Sequence, residues 1–485
     1  MTGPPLDFLF RPRSIALAGV SADTGKPGAA QWYLTCMLKF GYRGKIYPLH
    51  PAGGEIHGLR VYKNMVEIPG EVDYAVSAIA ARHTPQFIRN CAAKGVRAVH
   101  LFTSGYSEIE DAGGRRLEEE VVQIAREGGV RLIGPNCMGI YCPASGLTFA
   151  GDYPDQNGFP SRSGPLGLIS QSGGNCIYCI REASERGLFF SKAISYGNAA
   201  DLNECDFLEY MTDDPDTKII AMYVEGIKDG RRFKQVLRSA VKAKPVIIYK
   251  AGNTEMGARA CASHTSAIAG SAATWKAFLD QIGVIQVDSM SQLVDISVAL
   301  SFMPAPSGKN VVVAGSGGGV GVQAADDITS EGLSLPQLPV DLRRTLHGIY
   351  GTEAGSMFRN PVDIPPAGSI DHYLEAMRSI AESKDVDIII MQFPMDLWAL
   401  SRRSVLMGRF MEVVSKLKQS VTKPLAVVLH NSATVQARRL EEEARAHFAA
   451  LELPVYSSIS NAARAVNRYM WYCRRHNCRI FNTGD

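Results

Sequence analysis

The hydrophobic positions along the chain fall into short unbroken runs, and three of these runs lead into a glycine-rich turn followed by a helical pattern. The three strand–turn segments are residues 14–21, 166–174 and 311–319. Continuous apolar runs that alternate with helical patterns are typical of parallel strands covered on both faces. Gly19, Gly173 and Gly317 are 154 and 144 positions apart, a spacing close to one α/β domain each. The pattern therefore predicts three doubly wound α/β domains in series.

Further apolar runs occur where such domains need strands. They are residues 45–49, 74–79, 98–102 and 130–133, then 219–224 and 245–249, and finally 387–392 and 425–429. Stretches rich in proline, glycine and serine at 142–146 and 303–308 are typical of linkers. We therefore predict an α/β fold with parallel sheets and with domain boundaries at 1–145, 146–305 and 306–485.

Composition, charge and cysteine usage exclude several classes of protein. The chain has 485 residues, of which 46% are hydrophobic and 20% charged, and this ordinary globular usage excludes a disordered or fibrous protein. Its formal net charge of +3 is too weak a bias to predict binding to nucleic acid or to an anionic membrane surface. The ten cysteines are scattered, several of them inside apolar runs, which predicts free thiols in a cytoplasmic protein. No uncharged apolar run is long enough to predict a membrane span.

The first glycine-rich turn, residues 19–28, resembles two familiar phosphate-binding motifs and matches neither. A P-loop needs four residues between its glycines and a hydroxyl residue after its lysine, but here five intervene and Pro27 follows Lys26. Ser21 stands where a dinucleotide fingerprint needs glycine, so an NAD-dependent oxidoreductase is an alternative with an interrupted motif. Backbone N–H groups, a hydroxyl and a lysine before a helix still predict a site for a phosphate-bearing ligand, and a tight βα turn without a ligand is the alternative.

A single histidine lies in the middle of an unusual segment, residues 251–271, in which glycine, alanine and serine dominate. With few large apolar side chains, this segment is predicted to lie on the surface and to be mobile. A neutral imidazole such as that of His264 is a nucleophile toward phosphoryl groups when its other nitrogen is held. Glu225 is a candidate for holding it, and the turn Ser172-Gly173-Gly174 offers N–H donors to an anion. A surface histidine without a catalytic role is the alternative, and no other histidines have the spacing of a metal site.

Several segments in the same order then match one known family. They are residues 9–21, 134–139, 170–174, 223–231, 264–271, 317–319 and 360–363. They resemble the NDP-forming acyl-CoA synthetases, which are relatives of succinyl-CoA synthetase and include the archaeal ADP-forming acetyl-CoA synthetases. The resemblance spans nearly the whole chain, and it implies a Rossmann-like CoA-binding domain followed by two flavodoxin-like domains. Ser263 and Ser266 stand where that family usually has glycine.

The resemblance also implies roles for individual residues. The predicted CoA-binding residues are Gly19, Ser21, Gly25, Lys26, Gly28, Lys45 and Ile79. His264 is implied as a phosphorylated histidine, with Glu225 as the carboxylate that orients it. Ser172, Gly173 and Gly174 are implied as its phosphate cradle, and Asn136 as part of the wall of the acyl and phosphate site. The third domain, with 317–319 and 360–363, is expected to pack against this site and against a partner.

The implied reaction is the reversible ligation of a carboxylic acid to CoA, with ATP converted to ADP and phosphate. No segment after the third domain resembles an ATP-grasp module. We therefore expect ATP or ADP and Mg²⁺ to bind to a separate ATP-grasp β subunit, in a heterotetramer with this chain as the α subunit. The acid itself stays open among acetate, branched, aryl and dicarboxylic acids. The alternative is a non-catalytic CoA-binding or regulatory protein built from the same domains.

Overall fold

The computed structural model describes residues 6–23, 25, 28–109, 111–150, 158–265, 271–315, 318–351, 357–364, 370–400, 404–430 and 432–476. The chain divides into two compact units. The first contains Met1–Arg181 and Phe189–Leu293, and the second contains Glu182–Leu188 and Val294–Asp485. Across these described ranges, no helix combines the length and the apolar character that a bilayer crossing requires.

The first large sheet of the first unit contains five parallel strands in the order β2-β1-β5-β6-β7. Its elements are α1 (Asp7–Phe10), β1 (Ser14–Ala18), α2 (Ala29–Phe40), β2 (Lys45–Leu49), β3 (Gly54–Ile56), β4 (Leu59–Val61), β5 (Tyr74–Ser77), α3 (Thr84–Lys94), β6 (Ala98–Leu101), α4 (Ala112–Glu127) and β7 (Arg131–Ile133). Strands β3 and β4 form a separate antiparallel hairpin. In the register of β1 and β2, Ser14 lies beside Lys45 and Ala18 lies beside Leu49. The apolar strand residues pack against the buried faces of α3 and α4, so the core lies between sheet and helices.

The second sheet of the same unit contains six strands in the order β13-β12-β11-β9-β10-β8. Its elements are β8 (Gly139–Tyr141), β9 (Leu166–Ser170), α5 (Gly173–Glu185), β10 (Phe190–Ser195), α6 (Glu204–Asp213), β11 (Ile219–Val224), α7 (Gly230–Ala243), β12 (Val246–Lys250), α8 (Glu255–Thr265), α9 (Ala272–Ile282), β13 (Ile285–Val287) and α10 (Met290–Phe302). Strand β8 is antiparallel to β10, and the other strands are parallel. Strand β8 lies before the predicted domain boundary at 145 although it pairs with this sheet. The three predicted domain boundaries stay predictions.

The sheet of the second unit has six strands in the order β15-β16-β14-β17-β18-β19. Its elements are β14 (Val311–Gly315), α11 (Gly318–Ser330), α12 (Val340–Tyr350), β15 (Met357–Phe358), β16 (Val362–Asp363), α13 (Ile370–Glu382), β17 (Ile388–Pro394), α14 (Met395–Trp398), α15 (Ser404–Ser420), β18 (Leu425–His430), α16 (Val435–Ala450), β19 (Val455–Tyr456) and α17 (Ile459–His476). Only its edge strand β15 is antiparallel. The apolar residues of its central strands are buried against the flanking helices.

The parallel strands of all three sheets share one order. When they are numbered along the chain within each sheet, the order is 2-1-3-4-5 in every case. In such doubly wound sheets the loops after strands 1 and 3 separate and leave a crevice at the carboxyl edge, where ligands bind. The three glycine-rich turns follow β1, β9 and β14, which are the first strands of their sheets. The predicted α/β fold with doubly wound parallel sheets is therefore confirmed, and each turn stands beside a crevice.

One helix of the first unit was not predicted. Residues 255–265 form helix α8 inside the segment that the sequence predicted to be mobile and on the surface. Residues 253–256 and 259 are exposed, and the mobility stays a prediction. The side chain of Thr254 accepts a hydrogen bond from the backbone N–H of Gly257 at 3.0 Å, and Glu255 pairs with Arg259 one helical turn later. Alanine is also the best helix former, so a segment without large apolar side chains can still be helical. Residues 266–270 lie outside the described residues.

Candidate functional site

A cavity of about 590 Å³ opens at the carboxyl edges of the two sheets of the first unit. Its walls come from the loops that follow β5, β6, β7, β9 and β10. Asn136 and the turn Ser172-Gly173-Gly174 line it together. Four of the residues that the sequence singled out, from segments more than 30 positions apart, therefore meet at one site.

The turn after β9 presents backbone donors to this cavity. Ser170 Oγ donates to the carbonyl oxygen of Ser172 at 2.7 Å, and Ser172 Oγ accepts from the N–H of Asn175 at 3.3 Å, which caps α5. Within the described chain, no acceptor lies on the N–H groups of Gly173 and Gly174. These are the first two residues of α5, so the positive end of the helix dipole faces the cavity. A small anion such as phosphate suits this end of the site.

Side chains at the two glycines of this turn would have different consequences. A Cβ at Gly174 would meet open space, whereas one at Gly173 would lie 2.6 Å from Cγ of Met138. Gly173 therefore lets the helix start come close to the loop after β7.

Asn136 is held on the cavity wall by an interlocked pair of loops. Its backbone is left-handed, with φ of 57°, and its N–H donates to the carbonyl oxygen of Thr103 at 3.2 Å. The loop after β10 packs on it through Gly197, whose φ is 56°. A Cβ at Gly197 would lie 2.2 Å from the carbonyl oxygen of Pro135 and 2.4 Å from that of Asn136. The backbone N–H of Asn198 donates to the carbonyl oxygen of Pro135 at 3.0 Å, so the loops after β7 and β10 are also joined by a hydrogen bond.

Glu225 follows β11 directly and is 4% exposed. Tyr223 Oη donates to its Oε1 at 3.2 Å. The backbone N–H groups of Glu225 and Gly226 both donate to Oε1 of Gln171, at 2.8 and 3.2 Å. Gln171 itself lines the cavity, and the sequence analysis did not single it out. Glu225 therefore lies one side chain behind the cavity wall.

A buried lysine lies close to Glu225. Lys250 ends β12, the strand beside β11, and donates to the carbonyl oxygen of Ala251. Burial lowers the pKa of its ammonium group, and the negative charge of Glu225 opposes this change. A buried ammonium group and an acidic residue thus end neighbouring strands at the carboxyl edge of the sheet.

Only the backbone of His264 is described, and it lies in the last turn of α8. Helix α8 contacts the short turn Ser107–Ile109. From that turn, Glu108 accepts a hydrogen bond from Nδ2 of the cavity residue Asn198 at 2.6 Å. The helix that carries His264 is therefore linked to the cavity through the turn Ser107–Ile109 and Asn198. Its pairing with Glu225 stays a prediction.

The described residues of the first glycine-rich turn are joined by local hydrogen bonds. Gly19 follows β1 with φ of 101°, and its backbone packs on the carbonyl oxygen of Ala78. Ser21 Oγ accepts from the N–H of Asp23 at 3.0 Å, and Asp23 Oδ1 accepts from the N–H of Gly25 at 2.9 Å. The predicted site residue Lys26 lies outside the described residues.

Gln31 fixes the two ends of this turn and was missed by the sequence analysis. It lies in the first turn of α2 and is 5% exposed. Its Nε2 donates to the carbonyl oxygens of Ser21 and Asp23 at 2.7 and 2.9 Å, and its Oε1 accepts from the N–H of Gly28 at 2.6 Å. A glutamine three residues after a helix cap is a known capping signal, so the spacing from Gly28 could have identified it.

Of the two remaining predicted CoA-binding residues, one lies near this turn and the other does not. Ile79 follows β5, the neighbour of β1, at the same carboxyl edge as Gly19. Lys45 begins β2 and pairs with Ser14, so it lies at the opposite edge of the sheet. Four residues of strand separate the two edges, about 13 Å at the usual rise per residue. The assignment of Lys45 to the CoA site was therefore wrong, because only the carboxyl ends of parallel strands reach the crevice.

The asparagine of segment 360–363 has a structural place in the second unit. Asn360 is buried, its Nδ2 donates to the carbonyl oxygens of Val311 and Pro336 at 2.7 and 2.9 Å, and its Oδ1 accepts from the N–H of Val313 at 3.2 Å. It therefore ties β14 to the neighbouring loops. Gly317 lies outside the described residues.

Comparison with known proteins gives two family matches and several relatives that match about four-fifths of the chain. Residues 13–143 match a CoA binding domain, and residues 163–300 match a succinyl-CoA ligase like flavodoxin domain. The α subunit of acetate–CoA ligase (ADP-forming) I from Pyrococcus furiosus is 39% identical over 379 residues, which are 77% of this chain and 79% of that protein. The α subunit of ligase II from the same organism is 37% identical and covers 79% and 81% of the two chains.

A solved structure extends the match over nearly the whole chain. The dinucleotide-forming acetyl-coenzyme A synthetase 1 of Candidatus Korarchaeum cryptofilum, in complex with phosphate and ADP, superposes with a TM-score of 0.79. It is 30% identical and covers 97% of both chains. Together with the two domain matches and the crevice geometry, this likeness shows that the chain belongs to the NDP-forming acyl-CoA synthetases, the acid–thiol ligases that use CoA.

Proposed function

We propose that this chain is the α subunit of an acyl-CoA synthetase that joins a carboxylic acid to CoA through an acyl phosphate and a phosphorylated His264. The observation that carries the proposal is the cavity at the two carboxyl edges. There the N–H groups of Gly173 and Gly174, which meet no acceptor among the described residues, line the same space as Asn136. Helix α8, which contains residue 264, contacts the turn Ser107–Ile109, and Glu108 of that turn bonds to the cavity residue Asn198.

In the proposed mechanism His264 first receives a phosphoryl group and passes it to the carboxylate of the acid, which becomes an acyl phosphate. The sulfur of CoA then attacks the acyl carbon, the bond from that carbon to the phosphate oxygen breaks, and inorganic phosphate leaves. The N–H groups of Gly173 and Gly174 are placed to bind the oxygens of the moving group, and a fixed donor of this kind typically accelerates a reaction by about 10²–10³-fold. Dividing the transfer into two steps replaces one difficult barrier by two lower ones.

CoA is proposed to bind at the turn after β1, with Gly19, Ser21, Gly25 and Gly28 close to its phosphates and Ile79 beside them. The hydrogen bonds of Gln31 fix Ser21, Asp23 and Gly28, so these residues lose little conformational entropy on binding. Lys26 stays in the proposal as a charge partner for phosphate.

The nucleotide and its Mg²⁺ are proposed to bind to a separate ATP-grasp β subunit. The support comes from the two Pyrococcus furiosus relatives, which are each named as α subunits of ADP-forming ligases. A heterotetramer of two α and two β subunits is the assembly that we propose. His264 then carries the phosphoryl group between the cavity and the nucleotide of the partner.

The test uses the reverse direction, which needs only this chain. The full chain is incubated with ³²P-phosphate and with acetyl-CoA, isobutyryl-CoA or phenylacetyl-CoA in turn. We expect label that is stable in base and labile in acid, and we expect it to be absent from His264→Asn. His347→Asn is the matched control, because His347 is an exposed histidine of α12 in the other unit.

The outcomes separate the alternatives. Label that remains in His264→Asn contradicts the assignment of the phosphorylated residue. Absence of label from the unmodified chain with every acyl-CoA, together with measurable CoA binding, favours the non-catalytic CoA-binding protein. Copurification of an ATP-grasp chain that restores ATP formation from ADP tests the proposed partner.

A further inference from the structure

Gln171 stands between the phosphate-binding turn and Glu225, and its amide has a defined orientation. Two backbone N–H groups, of Glu225 and Gly226, point at the same side-chain atom at 2.8 and 3.2 Å. A backbone N–H can only donate, so the atom that they meet must be the amide oxygen. The nitrogen of the amide is therefore on the other side of the group, away from Glu225.

That nitrogen has no acceptor among the described residues, although Gln171 as a whole is only 5% exposed. It is also not among the buried side-chain atoms that lack a partner, so it reaches accessible space. The space that Gln171 lines is the 590 Å³ cavity, next to Gly173 and Gly174. A mostly buried side chain thus presents an N–H₂ group beside two backbone N–H groups, and none of the three has an acceptor in the described part of the chain.

We propose that Gln171 is a third donor of the anion site, and that its amide N–H₂ binds a phosphoryl oxygen of the acyl phosphate or of the leaving phosphate. This inference rests on the proposed function for the identity of the anion. Two hydrogen bonds to the oxygen of the neutral Gln171 amide fix its orientation. The N–H₂ group is therefore already in position before the anion binds. The same two bonds keep the backbone of Glu225 and Gly226 at a constant distance from the phosphate turn.

The decisive variant is Gln171→Glu, because glutamate has the shape of glutamine. Its carboxylate can still accept from the two backbone N–H groups, whereas its second oxygen replaces the donor by a negative charge. Gln171→Met is the second variant, since it keeps the length of the side chain and removes both the acceptor and the donor. Gln123→Glu is the matched control, because it makes the same charge change on the exposed face of α4.

The measurement is the binding of inorganic phosphate to the full chain by isothermal titration calorimetry, with circular dichroism to confirm folding. At pH 8 we expect Gln171→Glu to bind phosphate about 10- to 100-fold more weakly than the unmodified chain, the range for a hydrogen bond to a charged group. We expect Gln171→Met to be weakened as well, and Gln123→Glu to be unchanged.

The pH dependence distinguishes a donor from a merely structural residue. Below its pKa the carboxyl group of Gln171→Glu regains a proton and can donate, so its loss of phosphate affinity relative to the unmodified chain should shrink between pH 8 and about pH 4.5. The loss of phosphate affinity in Gln171→Met should stay constant over the same pH range. The proposal is overturned if Gln171→Glu binds phosphate as tightly as the unmodified chain at pH 8, or if its loss of affinity does not change with pH. It is also overturned if the unmodified chain binds no phosphate.

Failure of this inference and failure of the proposed function give different results. If His264 is labelled at the same rate in Gln171→Glu and in the unmodified chain, the donor role is wrong and the phosphohistidine mechanism stands. If phosphate binding depends on Gln171 while His264 is never labelled, the anion site stands and the mechanism fails.

Discussion

Gly197→Ala is the substitution that most directly tests how the cavity wall is built. The left-handed φ of 56° at this position suits glycine, and the loop after β10 packs here on the loop that contains Pro135 and Asn136. A Cβ would lie 2.2 Å from one carbonyl oxygen and 2.4 Å from the other, both well inside contact distance. One of the two loops must therefore move.

Two effects should lower the free energy of unfolding of Gly197→Ala. Placing an L-residue in the left-handed region costs about 1–2 kcal/mol, and overpacking that moves backbone costs about 1–3 kcal/mol. Ala199, two residues later, already has φ of 54°, so the conformation alone is tolerated in this loop. The steric part should therefore dominate, and we expect the free energy of unfolding of the first unit to fall by about 2–5 kcal/mol.

The assay is urea denaturation followed by circular dichroism, with hydrogen exchange to locate the change. We expect faster exchange in the segments 131–142 and 190–200 and weaker binding of phosphate, because Asn136 moves with the loop. Gly230→Ala is the matched control, since Gly230 begins α7 with no atom within 4 Å of a Cβ. Its stability should be unchanged or higher by up to about 1 kcal/mol.

A Gly197→Ala chain as stable as the unmodified one would refute the reasoning from the close contact. An equal loss in Gly230→Ala would also refute it, because the effect would then come from glycine substitution in general.

Two further predictions concern other parts of the first unit. Gln31→Leu should weaken CoA binding by about 10-fold or more, because the three hydrogen bonds of its amide to Ser21, Asp23 and Gly28 are lost. Lys45→Met should leave CoA binding unchanged, since Lys45 lies at the opposite edge of the sheet. Calorimetry with CoA checks both variants, and an equal loss of affinity in Lys45→Met would contradict its exclusion from the CoA site. Glu204 is 1% exposed, and burial raises the pKa of its carboxyl group to about 7. The folded chain therefore binds this proton more tightly than the unfolded chain, so stability falls as the pH rises from about 4.5 to about 7, by about 3 kcal/mol in total. Glu204→Gln should remove this fall, so its free energy of unfolding relative to the unmodified chain should be higher at pH 8 than at pH 5. Urea denaturation at both pH values measures this difference. An equal difference at both values would contradict the raised pKa of Glu204.

The strands and the glycine turns could be predicted from the sequence because their signals are local. Residues 45–49 and 219–224 were predicted as strands with the bounds that the structure has. An apolar run followed by glycine is recognisable within ten residues, and the parallel arrangement follows from the alternation with helices. The location of the site at the carboxyl edge then followed from the fold.

The parts that the sequence analysis missed depend on contacts between distant segments or on the edge at which a residue lies. Gln171 bonds to Glu225 from 54 positions away, and no local pattern marks it. Lys45 was assigned by resemblance, without regard to the edge of the sheet at which its strand begins. Helix α8 was missed because a composition without apolar anchors was interpreted as mobility, although alanine favours helix.

The place of residue 264 in the last turn of α8 has an electrostatic consequence for the proposed carrier. The carbonyl groups at the end of a helix have a partial negative charge, which attracts a cationic ring and repels an added dianion. Phosphorylation of His264 should thus destabilise the last turn of α8, and loss of the phosphoryl group should let that turn form again. On this view the phosphorylation of residue 264 decides whether the last turn of α8 is formed or frayed.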